Sequence, residues 1–317
     1  MATPLKNILI AGATGSVGAP ILAALLAEPS FNVTILTRAS SSAKFPGGVS
    51  VKSVSDAYSV QELTQAFQGQ DAVVSAITTT AVTKDDLAFR LIDAAVAAGV
   101  RRLIPSEFGT NNLDPRARSL VPVYDLKGKI LEYLIQKSKD SNGALTWTSI
   151  SCGSWLDWGL NPAKSGNFLA IDVKNRKATI WDSGNSKFAV TSSKNTGLAV
   201  VRALLQPDLT ENKQVYLCDF TTSSKAILES LERQTGKKFA IEHKESAPAI
   251  KELREKFDAG EFYATFPLLA LSFVADVDVG YGFEKEQKIW NKDLGLPKQE
   301  LDQLVKEAID LANSSSA

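Results

Sequence analysis

The chain has 317 residues, with 35 basic and 35 acidic side chains, one histidine and two cysteines. That length supports a sizeable core and two folding units, while the balanced charge excludes a global field for nucleic acid or an anionic membrane. Cys152 and Cys218 are too few for a disulfide framework, and with His243 alone in a charged stretch they leave neither a structural zinc site nor a Ser-His-Asp triad to expect.

In chain order, Asn7–Ala11 reads as a buried strand, followed by glycines and a helix from about Val17 to Ala27. Asn32–Thr37 and Val49–Val54 read as strands, Ser59–Phe67 as a helix, and Asp71–Ile77 as a fourth strand. An alanine-rich helix over Leu87–Ala98 stops at Gly99. Arg102–Pro105, a helix over Leu126–Ser138 and the strand Leu145–Ser149 follow. Strands alternating with helices predict an α/β, Rossmann-type, doubly wound parallel sheet. After Cys152 the pattern changes: Trp155, Trp158 and Trp181 cluster among glycine turns. Ser192–Leu205, Ser223–Thr235 and Leu301–Leu311 predict helices, Gln214–Cys218 a strand, and Asn313–Ala317 a frayed tail. The expected division is a nucleotide-binding unit over residues 1–155, joined by part of 190–222, and a smaller, discontinuous α+β substrate-binding domain over 156–317. The apolar stretch Phe266–Val277 is too short to span a membrane, and no signal-peptide pattern is present. A cytoplasmic monomer or homodimer, bound to neither membrane nor nucleic acid, is the expectation.

Chemistry starts at Gly12-Ala13-Thr14-Gly15-Ser16-Val17-Gly18, between the first strand and its helix. In such a loop Gly12 permits the tight turn, Gly15 lets the backbone approach a pyrophosphate, and Gly18 lets helix and strand pack closely. Amides at the helix start, including those of Thr14, Ser16 and Val17, face the anion. An NAD site usually carries an acid about 20 residues past the glycines. Arg38 stands there instead, with Lys44 nearby. A guanidinium suits a 2′-phosphate, so NADP(H) is the expected cofactor. Asp56 is a candidate near the adenine, and Ala76, Ile77 and Thr78 end the fourth strand where the ligand should pass.

By Pro105-Ser106-Glu107-Phe108-Gly109, after the fifth strand, the chain resembles the isoflavone reductase and pinoresinol–lariciresinol reductase family, among the NmrA-like atypical short-chain dehydrogenases. The glycine loop, Arg38 with Lys44, Tyr124-Asp125-Leu126-Lys127 and Trp181-Asp182-Ser183-Gly184-Asn185 fit the same family. The resemblance implies NADPH-dependent reduction of an aromatic secondary metabolite, with a catalytic lysine near the nicotinamide ribose; other members bind dinucleotide as regulators. After Lys127 the chain lacks the basic pair of the plant enzymes, and Ser154-Trp155-Leu156-Asp157-Trp158 replaces a smaller aromatic pattern, which looks closer to fungal members.

Two lysines compete for the chemistry. Tyr133-x-x-x-Lys137 has the short-chain dehydrogenase spacing. On a helical projection, however, Ile130, Leu131, Leu134 and Ile135 form an apolar stripe with Lys127 at its centre, and Tyr133 and Lys137 fall on the flank. Tyr124 joins the stripe if the helix reaches back that far. A lysine on a buried stripe covers apolar surface with its stem while its ammonium meets ribose hydroxyls, and desolvation lowers its pKa. Lys127 is therefore the expected proton-transfer group, with Tyr124 assisting. Cys152 is expected against the cofactor. Phe108, Trp155 and Trp158 could wall an aromatic pocket, and Phe262, Tyr263, Phe266 and Phe273 could lid it; core packing explains the same aromatics equally well. Glu107 reads as a structural acid in a turn. The leading expectation is an NADPH-dependent reductase of a small aromatic or alkaloid-like substrate. The rivals are an NADP(H)-sensing regulator without turnover and a cofactor-assisted isomerase or dehydratase.

Overall fold

A computed structural model describes residues 3–314. Twelve strands occur among them: β1 (Asn7–Ala11), β2 (Asn32–Arg38), β3 (Ser50–Val54), β4 (Ala72–Ser75), β5 (Arg102–Ile104), β6 (Thr146–Ser151), β7 (Ile171–Asp172), β8 (Lys177–Trp181), β9 (Phe188–Val190), β10 (Lys213–Tyr216), β11 (Phe220–Thr222) and β12 (Ala240–Lys244). Seven form one parallel sheet in the order β10-β6-β5-β4-β1-β2-β3. The order reverses between β1 and β4, so their carboxyl ends open a crevice there.

Both faces of this sheet are covered, which is why its central strands read as continuous apolar runs. Ile8 and Ile10 of β1 pack toward Ile21, Leu22 and Leu25 of the helix Gly18–Leu26 and toward Ala199, Val200 and Leu204 of the helix Ser193–Leu205. Leu9 and Ala11 point the other way, into the layer made by the helices Val60–Phe67, Leu87–Ala97 and Pro122–Asp140. Arg102 is buried on β5, donating to Thr146 Oγ1 and Thr148 Oγ1 of β6 and to the Pro207 carbonyl. Burial pulls its pKa down to about 10.

A second core lies beyond the carboxyl ends of the strands. It gathers Leu156, Leu169, Ile171, Ile180, Phe188, Ile227, Leu271 and Phe273 around the small sheets β12-β8-β7 and β11-β9. Val123 and Tyr124, from the long helix of the first layer, reach into it. Conversely, β10 completes the large sheet, and Trp290 and Leu294 enter the core around Ile8. The second half of the chain thus supplies parts of both layers.

Several boundaries differ from the sequence expectations. β4 stops at Ser75, where the Ala76 amide closes the ladder to β1 by bonding the Ala11 carbonyl at 2.7 Å. β10 stops at Tyr216, two residues before Cys218. The long helix starts at Pro122, four residues earlier than the apolar period suggested, with proline in its first turn where no amide bond is needed. His243 lies on the exposed strand β12, paired to β8. The closing helix runs Leu301–Ser314, so Asn313 is helical rather than frayed; residues 315–317 of the expected tail lie outside the described residues. No helix among the described residues is long and apolar enough to cross a membrane, and none of their His, Cys, Asp and Glu side chains gather in threes to hold a metal.

Candidate active site

The glycine loop leaves β1 through Gly12 at φ +84°. A side chain there would place its Cβ 2.4 Å from the Ala76 carbonyl oxygen, and one at Gly18 would lie 1.9 Å from the Gly12 oxygen. These two glycines are therefore demanded by protein against protein. Gly15 differs: its amide bonds the Gly12 carbonyl at 3.2 Å, and a Cβ would make only ordinary contacts, the nearest at 3.5 Å. Its open side faces two clefts.

The first cleft, of about 270 Å³, is lined by Gly12, Thr14, Gly15, Arg38, Phe45 and Tyr58, with Ala76, Ile77 and Thr78 on its far wall. Arg38 is the last residue of β2 and is exposed at the rim. Lys44 is exposed between the lining residues Ala43 and Phe45 and does not itself line the cleft. Asp56 is also outside the lining. Its carboxylate accepts from the Ser40 hydroxyl at 2.5 Å and the Ser40 amide at 3.3 Å, which braces the loop after Arg38. The Ser40 hydroxyl holds its pKa below the ordinary carboxylate value. Tyr58 and Phe45 were not singled out in the sequence. Tyr58 is half-buried at φ +47°, a placement that no periodic pattern announces.

The second cleft, of about 420 Å³, shares Gly15, Ala76, Ile77 and Thr78 with the first. Ser16 and Val17 line it, and Lys127 and Tyr124 stand across from them. Phe108, Trp155, Trp158, Phe168, Phe266 and Phe273 make its walls. Ring pairs run Trp155–Trp158 at 6.1 Å, Trp158–Phe168 at 5.3 Å and Phe168–Phe273 at 5.7 Å. Phe168 is a further residue the sequence did not single out; it follows the Gly166 turn in an irregular stretch. Ser154 Oγ and Trp158 Nε1 are buried here without a hydrogen-bond partner among the described residues.

Three expected residues lie elsewhere. Phe262 and Tyr263 sit on a short 3-10 turn outside the cavity, packed edge-on to each other, while Phe266 and Phe273 of that aromatic group reach the lining. The reason is the turn itself, which rotates residues 262 and 263 away from the face that the following helix, Thr265–Val274, presents inward. Cys152 is fully buried behind the wall, in the core with Ile150 and Ala199, while its neighbour Gly153 lines the cavity. Burial pushes its thiol up to about 12, so it stays neutral.

Lys127 is 8% exposed and donates from Nζ to the Glu107 carbonyl at 2.9 Å. Burial lowers its pKa, opposed by the nearby Glu107 charge. Tyr124 donates or accepts in a 2.6 Å bond with the Tyr281 hydroxyl, which is 2.7 Å from Ser272 Oγ. Burial raises the Tyr124 pKa. The alternative pair is engaged on the other side of the helix: Tyr133 donates to Asp93 Oδ1 at 2.8 Å, and Lys137 pairs with the same oxygen at 2.8 Å. Neither lines either cleft.

The NmrA-like family matches over residues 4–268. The chain belongs to that family. Among curated relatives, oxidoreductase aprR of Aspergillus flavus is 32% identical over 300 residues, covering 94% of this chain and 97% of the relative. Two solved structures share the fold. AtPrR2 with NADP+ and (+)pinoresinol superposes with a TM-score of 0.69 at 21% identity, covering 96% of this chain and 99% of that one. The leucoanthocyanidin reductase–NADPH complex from Vitis vinifera gives 0.72 at 17%, covering 96% and 100%.

Proposed function

We propose that this NmrA-like oxidoreductase uses NADPH to reduce a small aromatic substrate, with Lys127 managing the proton. The observation that carries the reading is the meeting of two clefts at Gly15 and Ala76–Thr78, one ending at Arg38 and the other at Lys127. Arg38 would hold the 2′-phosphate of a dinucleotide spanning that junction, Gly15 would leave room for its pyrophosphate, and Lys127 would stand at its nicotinamide end. Gly15 fits this role because its missing side chain would otherwise fill the junction.

The bound cofactor supplies the hydride; the chain supplies the rest. The aromatic walls hold a flat apolar substrate and exclude water. Lys127 donates the proton to the substrate atom that gains negative charge, and burial, by lowering its pKa, favours that donation. The curated relative named above is an oxidoreductase and one structural neighbour is a leucoanthocyanidin reductase bound to NADPH, in keeping with turnover rather than sensing alone.

An NADPH-oxidation screen across aromatic ketones, enones and imines tests this reading, run with wild type and Lys127→Ala. The expected result is turnover of at least one class, reduced about 10²–10⁴-fold by the substitution, the usual worth of a general acid. Tight NADPH binding without oxidation in any class would overturn it in favour of a regulator.

A further inference from the structure

Glu107 is an ionisable group of the cavity to which the reductase chemistry assigns no task. Glu107 is 3% exposed, lines the same cavity as Lys127, and follows β5 in a turn that is costly to build. Its successor Phe108 adopts φ +40°, a left-handed conformation that a bulky side chain takes up only under constraint. The constraint is visible. The Phe108 amide bonds the Ile150 carbonyl at 2.9 Å, and the Glu107 amide bonds the Pro105 carbonyl at 2.8 Å. Held this way, the Glu107 carbonyl receives the Lys127 ammonium at 2.9 Å, so the carboxyl is tethered within one residue of that cation.

We propose that Glu107 is a positioning residue for Lys127: its carbonyl holds the ammonium at the cavity wall, and its buried carboxyl is the opposite charge tethered beside that ammonium. This rests on the reductase reading for its role in turnover, though not for its electrostatics.

The surroundings leave few competitors. Lys127 faces Glu107 and, behind the wall, the neutral Cys152 thiol. Glu107 faces Lys127 from the long helix, Tyr216 from β10 and the Asn112 side chain, which donates to its Oε2 at 2.8 Å. Tyr216 is itself pushed up to about 12 by burial, so it stays neutral. Lys127 and Glu107 are thus the two charge-bearing members of the cluster. Burial drives each toward its neutral form, and each one's charge opposes that drive in the other. The pair titrates as a unit. Removing the carboxylate while keeping its shape leaves the ammonium with burial alone, so Lys127 must deprotonate at lower pH.

Glu107→Gln is the test, because Gln keeps an oxygen for the Asn112 amide. The Nζ resonance of Lys127, assigned by its loss in Lys127→Arg, is titrated by lysine-labelled NMR in the NADP+-loaded protein. The expected result is a fall of about one unit or more, the usual effect of losing an opposite charge at short range. In kinetics, the high-pH limb of kcat/KM moves to lower pH by the same amount, NADPH affinity is unchanged, and Glu107→Asp restores part of the shift. An unchanged Lys127 titration in a folded Glu107→Gln protein would overturn the proposal. A shifted titration in a protein that turns over nothing would overturn the reductase reading instead, leaving the pairing intact.

Discussion

Arg38 ends β2 with its side chain exposed at the cleft rim, and the loop that follows is braced by Asp56 through Ser40 rather than by a second cation. Lys44 sits outside the lining, so Arg38 carries the 2′-phosphate argument alone. Arg38→Ala should therefore weaken NADPH tens-fold, in line with about 1.5–3 kcal/mol for a hydrogen bond to a charged group, and leave NADH almost unchanged. Fluorescence titration with both cofactors measures this; equal loss for the two would remove Arg38 from the 2′-phosphate site. At the same scale, the three glycines of the loop separate by cause. Gly12 and Gly18 are required by the protein's own backbone, whereas a Cβ at Gly15 would make only ordinary contacts with the protein.

At the scale of elements, the helix Pro122–Asp140 shows how one surface decides chemistry. Its buried positions include Tyr124, Lys127, Ile130, Leu131 and Leu134, so the apolar stripe also carries the lysine into the cavity. Tyr133 and Lys137, with the familiar spacing, are turned to Asp93 and away from both clefts. A second contact between elements is closer still. Gly197, in the helix Ser193–Leu205, lies where a Cβ would come within 2.5 Å of the Pro20 carbonyl oxygen in the helix Gly18–Leu26. That helix follows directly on the glycine loop, so pushing it outward disturbs the loop as well. Gly197→Ala should cost about 1–3 kcal/mol, as overpacked contacts generally do. Urea denaturation gives the stability change, and an unaltered midpoint would show that the helices separate without strain.

For the whole molecule, the key fact is that the cavity has walls from both layers. Lys127, Phe108 and Trp155 come from the nucleotide layer, and Phe168, Phe266 and Phe273 from the second core. The buried hydroxyls of Tyr124, Tyr281 and Ser272 join the two, at 2.6 and 2.7 Å. Tyr281 also stacks on Phe273 at 4.1 Å, tying the chain of hydroxyls to a wall residue. Tyr281→Phe keeps that stack and deletes the middle hydroxyl. It should lower stability by about 1–3 kcal/mol, the cost of leaving the buried Tyr124 hydroxyl unpartnered, since Ser272 keeps its bond to the Leu269 carbonyl. It should also raise KM for the aromatic substrate with NADPH affinity unchanged; equal effects on both ligands would show that the junction supports the cofactor site too.

The local signals were strongest where local rules suffice. A glycine-spaced turn between an apolar strand and a helix, an arginine at the end of the next strand, and a lysine at the centre of an apolar stripe are all short-range patterns, and β1, the loop, Arg38 and Lys127 were legible for that reason. The aromatic residues were not. Trp158, Phe168, Phe262 and Phe266 differ little in local context, and whether each faces a cavity, a core or the surface depends on strands and helices distant in the chain. Glu107 shows the same limit at a single residue. Its sequence neighbours suggest a braced turn, and that turn is present, but only the approach of the long helix brings Lys127 to its carbonyl. Short-range chemistry thus set where a dinucleotide's phosphates should lie. The packing of two layers decided what surrounds its reactive end, because burial and charge pairing depend on residues that the chain brings together only when folded.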